Sequence, residues 1–181
     1  QANNLQVSDI DLLIPHQANL RISQFIQKKF DLNDDQVFNN IQKEIPSRLL
    51  MIGEGPEKEM AEQLCKELSI EGKVEFLGNS NQVEKNFCHS DLFLLPSNTE
   101  SFGLAALEAM ACEIPVVSTR VGSVAESVAD GRTGHLVAPG DANGLAHHWL
   151  KLFADRTLAR SFGTAGRGAV EANWSLDRMV A

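Results

Sequence analysis

The chain has 181 residues, enough for one ordinary domain and a fraction of another. Its net charge of -8 argues against a nucleic-acid groove or an anionic membrane surface as partner, and no run of about 18 apolar residues offers a membrane span. The acidity does not exclude a phosphate ligand, because backbone N–H groups at a helix start bind phosphate without Lys or Arg.

In chain order, "DIDLLIP" (9–15) reads as a short strand stopped by Pro15, and "QANLRISQFIQKKF" (17–30) as a helix. "DLNDD" (31–35) is a turn, and Val37, Phe38 and Ile41 fit strand or helix. From residue 48, "RLLMIG" is a buried strand, "GEGP" a tight loop, and "PEKEMAEQLCKEL" a helix with Pro56 in its first turn. "KVEFLG" is a strand, "NQVEKNFCHS" a short helix and "DLFLLPS" a strand. After the loop "NTES" come helix "FGLAALEAMAC", strand "IPVVST", helix "SVAESVAD", strand and turn "GHLVAPGD", and a helical remainder. Apolar runs of about five residues alternating with helices predict an α/β fold: a Rossmann-like parallel sheet with helices on both faces.

Composition shifts along the chain. Residues 1–118 hold seven Lys, two Arg, nine Ile and ten Asn, whereas 119–181 hold one Lys, six Arg, no Ile and two Asn. A core requires branched apolar residues but not one particular kind, so different sequence origins explain the switch better than folding does. The stretch "FNNIQKEIPSRLL" (38–50) has the look of a seam, with a polar, Asn-rich left end and an apolar strand opening at its right.

The most informative stretch is "PSNTESFGLAALEAMACEIPVVST" (96–119). A strand ends at Pro96, a polar loop follows, and Gly103 opens a helix apolar nearly all round, which predicts a buried helix. The N–H groups of Phe102, Gly103 and Leu104 form a site for phosphate, and Gly103 allows close approach. Glu108 is the only charge between Phe102 and Cys112. A carboxylate on a buried helix needs a partner, either a structural donor or ligand hydroxyls. Glu100 and Glu108 lie eight residues apart. That is roughly 12 Å along a helix, too far to flank one bond as an acid/base pair. The two suit opposite ends of a long ligand with phosphates between, and residue spacing leaves that ligand open.

The pieces "LLMIGEGPE", "VEFLG", "DLFLLPSNTESFGLAALEAMACEIPVVST" and "DGRTGHLVAPGD" make residues 44–181 resemble the C-terminal, nucleotide-sugar-binding domain of family 4 glycosyltransferases, the donor half of a GT-B fold. The E-x7-E element from Glu100 to Glu108 is that family's signature. The part up to about 118 is most similar to bacterial N-acetylglucosaminyl-malate synthases of bacillithiol biosynthesis, and the last third to more generic members. The resemblance implies a retaining hexosyltransferase with a UDP-sugar donor such as UDP-N-acetylglucosamine, no metal and no further cofactor. It implies that Glu100 contacts the donor sugar and that Ser101, Phe102, Gly103 and Leu104 hold sugar and diphosphate. Glu108 would bind the ribose, the loop Gly53–Glu54–Gly55–Pro56 would line the donor cleft, and Leu77 and Gly78 would grip the base.

Residues 1–43 resemble a fragment of ketoacyl-acyl-carrier-protein synthase III. "IPHQAN" is that family's histidine motif, and His16 matches its catalytic His. The family's nucleophilic Cys motif is not in the sequence, and "EIPS" stands where its Gly-Asn-Thr segment should follow "NIQK". Without those partners His16 cannot run Claisen chemistry. The other histidines, among them His135, His147 and His148, read as surface or packing residues without convergent partners. Cys65, Cys88 and Cys112 have no short spacing, giving neither a disulfide framework nor a zinc site. They read as small buried thiols of a reducing cytoplasm. The pair Cys88–His89 points apart on its helix.

On the glycosyltransferase side, the family's strand, Arg- and Lys-bearing loop and helix normally open the domain and neutralise the leaving diphosphate. Here the synthase-like segment stands in that place, and Arg21, Lys28 and Lys29 lie on or near its helix. The acceptor-binding N-terminal domain is expected to be missing, as is a secretory leader in "QANNLQVSDID", and a start on Gln points to a fragment. The expected partner is thus a UDP-sugar, with no nucleic acid and no membrane span. The alternatives are a non-enzymatic chimera without selected function, a synthase III acyltransferase centred on His16, and a GT-B epimerase, whose acid/base carboxylates are not found.

Overall fold

In the computed structural model of the chain, residues 12–14, 48–80, 83–87 and 89–174 are described. The chain divides into two compact units, Gln1–Ser90 and Asp91–Ala181.

In the first unit three parallel strands run side by side in the order β3-β2-β1. They are β1 (Leu12–Ile14), β2 (Leu49–Ile52) and β3 (Val74–Gly78). Leu12 pairs with Leu49, and Leu49 with Val74. Two helices belong here, α1 (Lys58–Glu67) and α2 (Val83–Phe87). The α1 helix turns Ala61 and Cys65 inward and keeps its charged residues out. Pro56 lies in the turn just before it. Arg48 and Glu75 pair at 3.2 Å beside the β2–β3 ladder.

The second unit repeats the logic with fuller burial. Strands β4 (Leu92–Leu95), β5 (Val116–Thr119) and β6 (Gly134–Val137) are parallel in that order, and all four residues of each are buried. Strands buried at successive positions are covered on both faces. The cover comes from α3 (Leu104–Ala111), the short α4 (Val124–Ser127), α5 (Ala142–Ala154) and α6 (Arg156–Asn173). Both long helices begin where an aspartate caps them: Asp141 accepts from the Gly144 N–H and Asp155 from the Leu158 N–H. The parallel α/β expectation therefore holds in both units.

The strand ends beyond 12–14, the helix expected over 17–30, His16, Arg21, Lys28, Lys29, Cys88 and the seam as far as residue 47 lie outside the described residues.

Candidate functional site

The site in the second unit is a loop with almost no freedom. After β4, Pro96 and Ser97 are buried. The Thr119 hydroxyl, at the end of β5, donates to the Ser97 carbonyl, and the Ser118 hydroxyl donates to the Leu95 carbonyl at 3.0 Å. From the other side Gly122 presses against the Glu100 backbone so closely that a Cβ there would meet the Glu100 carbonyl oxygen at 1.8 Å. The Ser123 N–H points to the Ser101 carbonyl at 3.4 Å.

Within this frame the Ser97 hydroxyl donates to Glu100 Oε1 at 2.7 Å, and Glu100 is half-buried. Gly103 is the residue preceding α3, at φ 73°, and no side chain caps the helix. Its left-handed backbone excludes ordinary residues, and a Cβ would strike Val124 Cγ2 at 2.6 Å. The Ala106 and Leu107 N–H groups donate to the Gly103 carbonyl at 2.9 and 3.4 Å, so the open donors of the helix start are those that precede them. Ser101 is exposed, Phe102 and Leu104 are exposed large apolar residues, and the Phe102 ring meets Trp174 edge-on at 5.2 Å. Asn98 Oδ1, in the same loop, is buried without a hydrogen-bond partner. Sequence reasoning missed Ser97 and Asn98, although the spacing S-x-x-E was a signal for the first.

The expectation that α3 is buried all round needs correction. Ala106, Leu107, Ala109 and Met110 are buried, but Leu104, Glu108 and Ala111 are exposed. These three share one face at i, i+4 and i+7, so the helix has a solvated stripe that its apolar composition hides. Glu108 is consequently an exposed charge and not a buried one.

In the first unit the GEGP loop touches the end of β3. The Gly53 N–H donates to the Gly78 carbonyl at 2.7 Å, with both glycines at positive φ, 125° and 65°. Lys58 Nζ donates to Glu54 Oε1 at 3.0 Å. That same carboxylate oxygen stands 2.7 Å from where a Cβ on Gly78 would be, and the positive φ of Gly78 favours glycine there. Gly55 carries the carbonyl that receives the Lys58 N–H at 3.2 Å, and Leu77 is half-buried just before Gly78.

The histidines differ from expectation. His135, on β6, is buried and stacks on His148 of α5 with ring centroids 3.9 Å apart. His147 meets His148 edge-on at 5.2 Å, and Phe162 of α6 flanks His135 at 5.2 Å. Asp130 Oδ1 lies 3.5 Å from His135 Nδ1. They do converge, as a packing cluster that joins β6 to α5. Burial pushes the His135 imidazole below its ordinary range, and the neighbouring His148 adds to this against the pull of Asp130. His148 is lowered first by burial and then by His147. Burial also pushes the Cys65 thiol up to about 11, which makes it an inert core thiol. Among the described residues no group of three or more His, Cys, Asp or Glu side chains is placed to hold a metal ion, and no helix is long and apolar enough to cross a membrane.

Comparison with known proteins identifies a family and a fold. The family model for glycosyl transferases group 1 matches residues 35–169, and that for the C-terminal part of 3-oxoacyl-[acyl-carrier-protein] synthase III matches residues 1–44. The chain is 37% identical over 174 residues to N-acetyl-alpha-D-glucosaminyl L-malate synthase of Bacillus anthracis, covering 96% of this chain and 44% of that protein. The chain thus spans less than half the length of this relative. In fold it is similar to the C-terminal domain of a group 1 glycosyl transferase, LpcC, from Francisella tularensis, with a TM-score of 0.79 at 24% identity over 97% of this chain and 95% of that one. It is likewise similar to Anabaena HepE, solved in complex with UDP and glucose, with a TM-score of 0.76 at 20% identity over 91% of this chain and 45% of that one. Residues 1–44 carry a second, synthase-like resemblance, so the sequence is chimeric in its matches, and through the match over 35–169 the chain belongs to the glycosyl transferases group 1 family.

Proposed function

We propose that the chain is the donor-binding half of a retaining glycosyltransferase that takes a UDP-sugar such as UDP-N-acetylglucosamine and that, by itself, binds its donor without turnover. The observation that carries this reading is the loop before α3, where a held carboxylate, a left-handed glycine and uncapped helix N–H groups stand side by side. Glu100 contacts the donor sugar. The backbone from Ser101 through Phe102 and Gly103 to Leu104 receives the diphosphate, because unpaired N–H groups at a helix start attract anions without a lysine or arginine. Glu108 binds the ribose, for which its exposure on the face of Leu104 is an asset, since a ligand can reach it. Gly53, Gly55, Leu77 and Gly78 are donor-contact residues by the family resemblance alone. No metal and no second cofactor are required, and the protein works in the cytoplasm. Residues 1–43 are of synthase-like origin, and 44–181 are the donor domain.

Titration calorimetry of the folded chain with UDP-N-acetylglucosamine tests this reading. Binding in the micromolar to millimolar range is expected, with no release of UDP over time. Absence of heat at millimolar donor from a protein shown to be folded overturns it. The overlap of the two family matches at residues 35–44 favours one second reading, a chimera without selected function. A protein that folds but binds neither UDP nor a UDP-sugar supports that reading.

A further inference from the structure

We infer that Ser97 is a positioning residue: its hydroxyl, bound to Glu100 Oε1, sets the orientation in which Glu100 receives the sugar of the donor. The inference rests on the proposed donor reading and adds a residue to it. Ser97 is 1% exposed, and its hydroxyl stands 2.7 Å from Glu100 Oε1. Its backbone is held in turn, since the Thr119 hydroxyl donates to its carbonyl.

A structural role would be the simple explanation, because Ser-x-x-Glu spacing is the signature of a capping box. The geometry removes that explanation. The helix begins at Leu104, its preceding residue is Gly103, and no side chain caps it. The Ser97–Glu100 bond therefore closes no helix. It acts on a carboxylate that is otherwise free to sweep through its rotamers, at an entropic cost to any ligand that must stop it. An ionised carboxylate offers about four lone-pair sites. Ser97 occupies one on Oε1 and fixes the plane of the group, which leaves Oε2 to accept from sugar hydroxyls. The Glu100 backbone is fixed by the close approach of Gly122. Main chain and side chain are thus immobilised by different neighbours, the arrangement expected of a preorganised contact.

The readout is the gain in affinity from the sugar, measured by calorimetry as the ratio of the UDP dissociation constant to that of UDP-N-acetylglucosamine, on the full chain. Ser97→Ala is expected to lower this ratio about tenfold while UDP alone binds within about twofold of wild type. Ser97→Thr, which keeps the hydroxyl, restores the ratio. In a Glu100→Ala background, which removes the acceptor, adding Ser97→Ala changes the ratio no further. An unchanged ratio in Ser97→Ala overturns the inference, as does an equal loss for UDP and UDP-sugar, which marks a merely structural residue. An additional loss in the Glu100→Ala background overturns it too, since Ser97 would then act independently of Glu100. Should Ser97→Ala fail to fold, the comparison of Ser97→Thr with Ser97→Cys decides: a ratio indifferent to replacing the hydroxyl by a thiol rejects the inference. Wild-type protein that binds UDP with no gain from the sugar removes this inference alone, and binding of neither ligand removes the donor reading with it.

Discussion

Glu100 and Glu108 show how differently two residues of one motif are held. Glu100 is half-buried and takes a hydrogen bond from Ser97, whereas Glu108 is exposed on the stripe it shares with Leu104 and Ala111. Glu108→Ala is expected to bind UDP about tenfold more weakly, the value of one charge-assisted contact; equal UDP affinity in calorimetry, from a variant shown to be folded, would refute the ribose role. Glycines give a matched comparison of space and strain. Gly122 and Gly131 both have positive φ, 49° and 74°, but a Cβ at 122 meets the Glu100 carbonyl while one at 131 meets nothing within 4 Å. Urea unfolding should show Gly131→Ala losing about 1–2 kcal/mol, the left-handed strain alone, and Gly122→Ala losing more by a further 1–3 kcal/mol or so of overpacking. Equal losses would mean that the loop yields. The glycines at 53, 55 and 103 were legible in the sequence as loop formers. The reason Gly122 is glycine was not, because its neighbour is Glu100, 22 positions away in the chain.

Among the elements, α6 and the β6–α5 pair carry the sharpest expectations. Gly163 of α6 lies against the turn after α3, where a Cβ would sit 1.9 Å from the Glu113 carbonyl, while Gly168 on the same helix has open space. Gly168→Ala should stabilise by about 0.5–1 kcal/mol through helix propensity, whereas Gly163→Ala should destabilise by about 1–3 kcal/mol through overpacking; the same sign for both in denaturant melts would contradict the packing described. The His135–His148 stack makes stability depend on pH. Both groups are lowered from 6.5, so below that pH the unfolded chain binds protons that the folded chain refuses. Their contribution is fully present above pH 6.5 and is lost as the pH falls through the lowered folded values. Asp130 acts in the same direction at lower pH. Burial alone would raise it, but the Leu136 N–H, His135 and Arg120 together bring it below 3.8. Thermal midpoints should therefore drop between pH 7 and pH 5, and His148→Phe, which keeps a ring in the stack, should flatten the drop. A midpoint independent of pH over that span would show that the stack does not titrate. No spacing in the sequence announced this cluster, since a strand residue and a helix residue about a dozen positions apart meet only after folding.

For the molecule as a whole, the family match over residues 35–169 and the synthase match over 1–44 place two origins in one chain, in keeping with the shift in Lys, Arg, Ile and Asn usage. The two compact structural units divide elsewhere, after Ser90. A boundary of ancestry and a boundary of packing need not coincide, because contacts respond to surface and not to origin. If the donor reading holds, the chain should bind UDP-N-acetylglucosamine while releasing no UDP, and steady UDP release in a coupled assay would show that it catalyses transfer or hydrolysis unaided. Much of this was present in the sequence by itself. The four-residue apolar runs of β2 and β4 suit strands covered on both faces, and the alternation of such runs with helices sufficed for a parallel α/β fold. The Glu100–Glu108 spacing pointed to the loop before α3 as the candidate site. The tertiary structure alone decided which face of α3 is solvated, what holds Glu100 in place and which histidines stack. Periodicity reports the side of an element that is apolar, whereas those three outcomes depend on which neighbour arrives from a distant part of the chain to cover it.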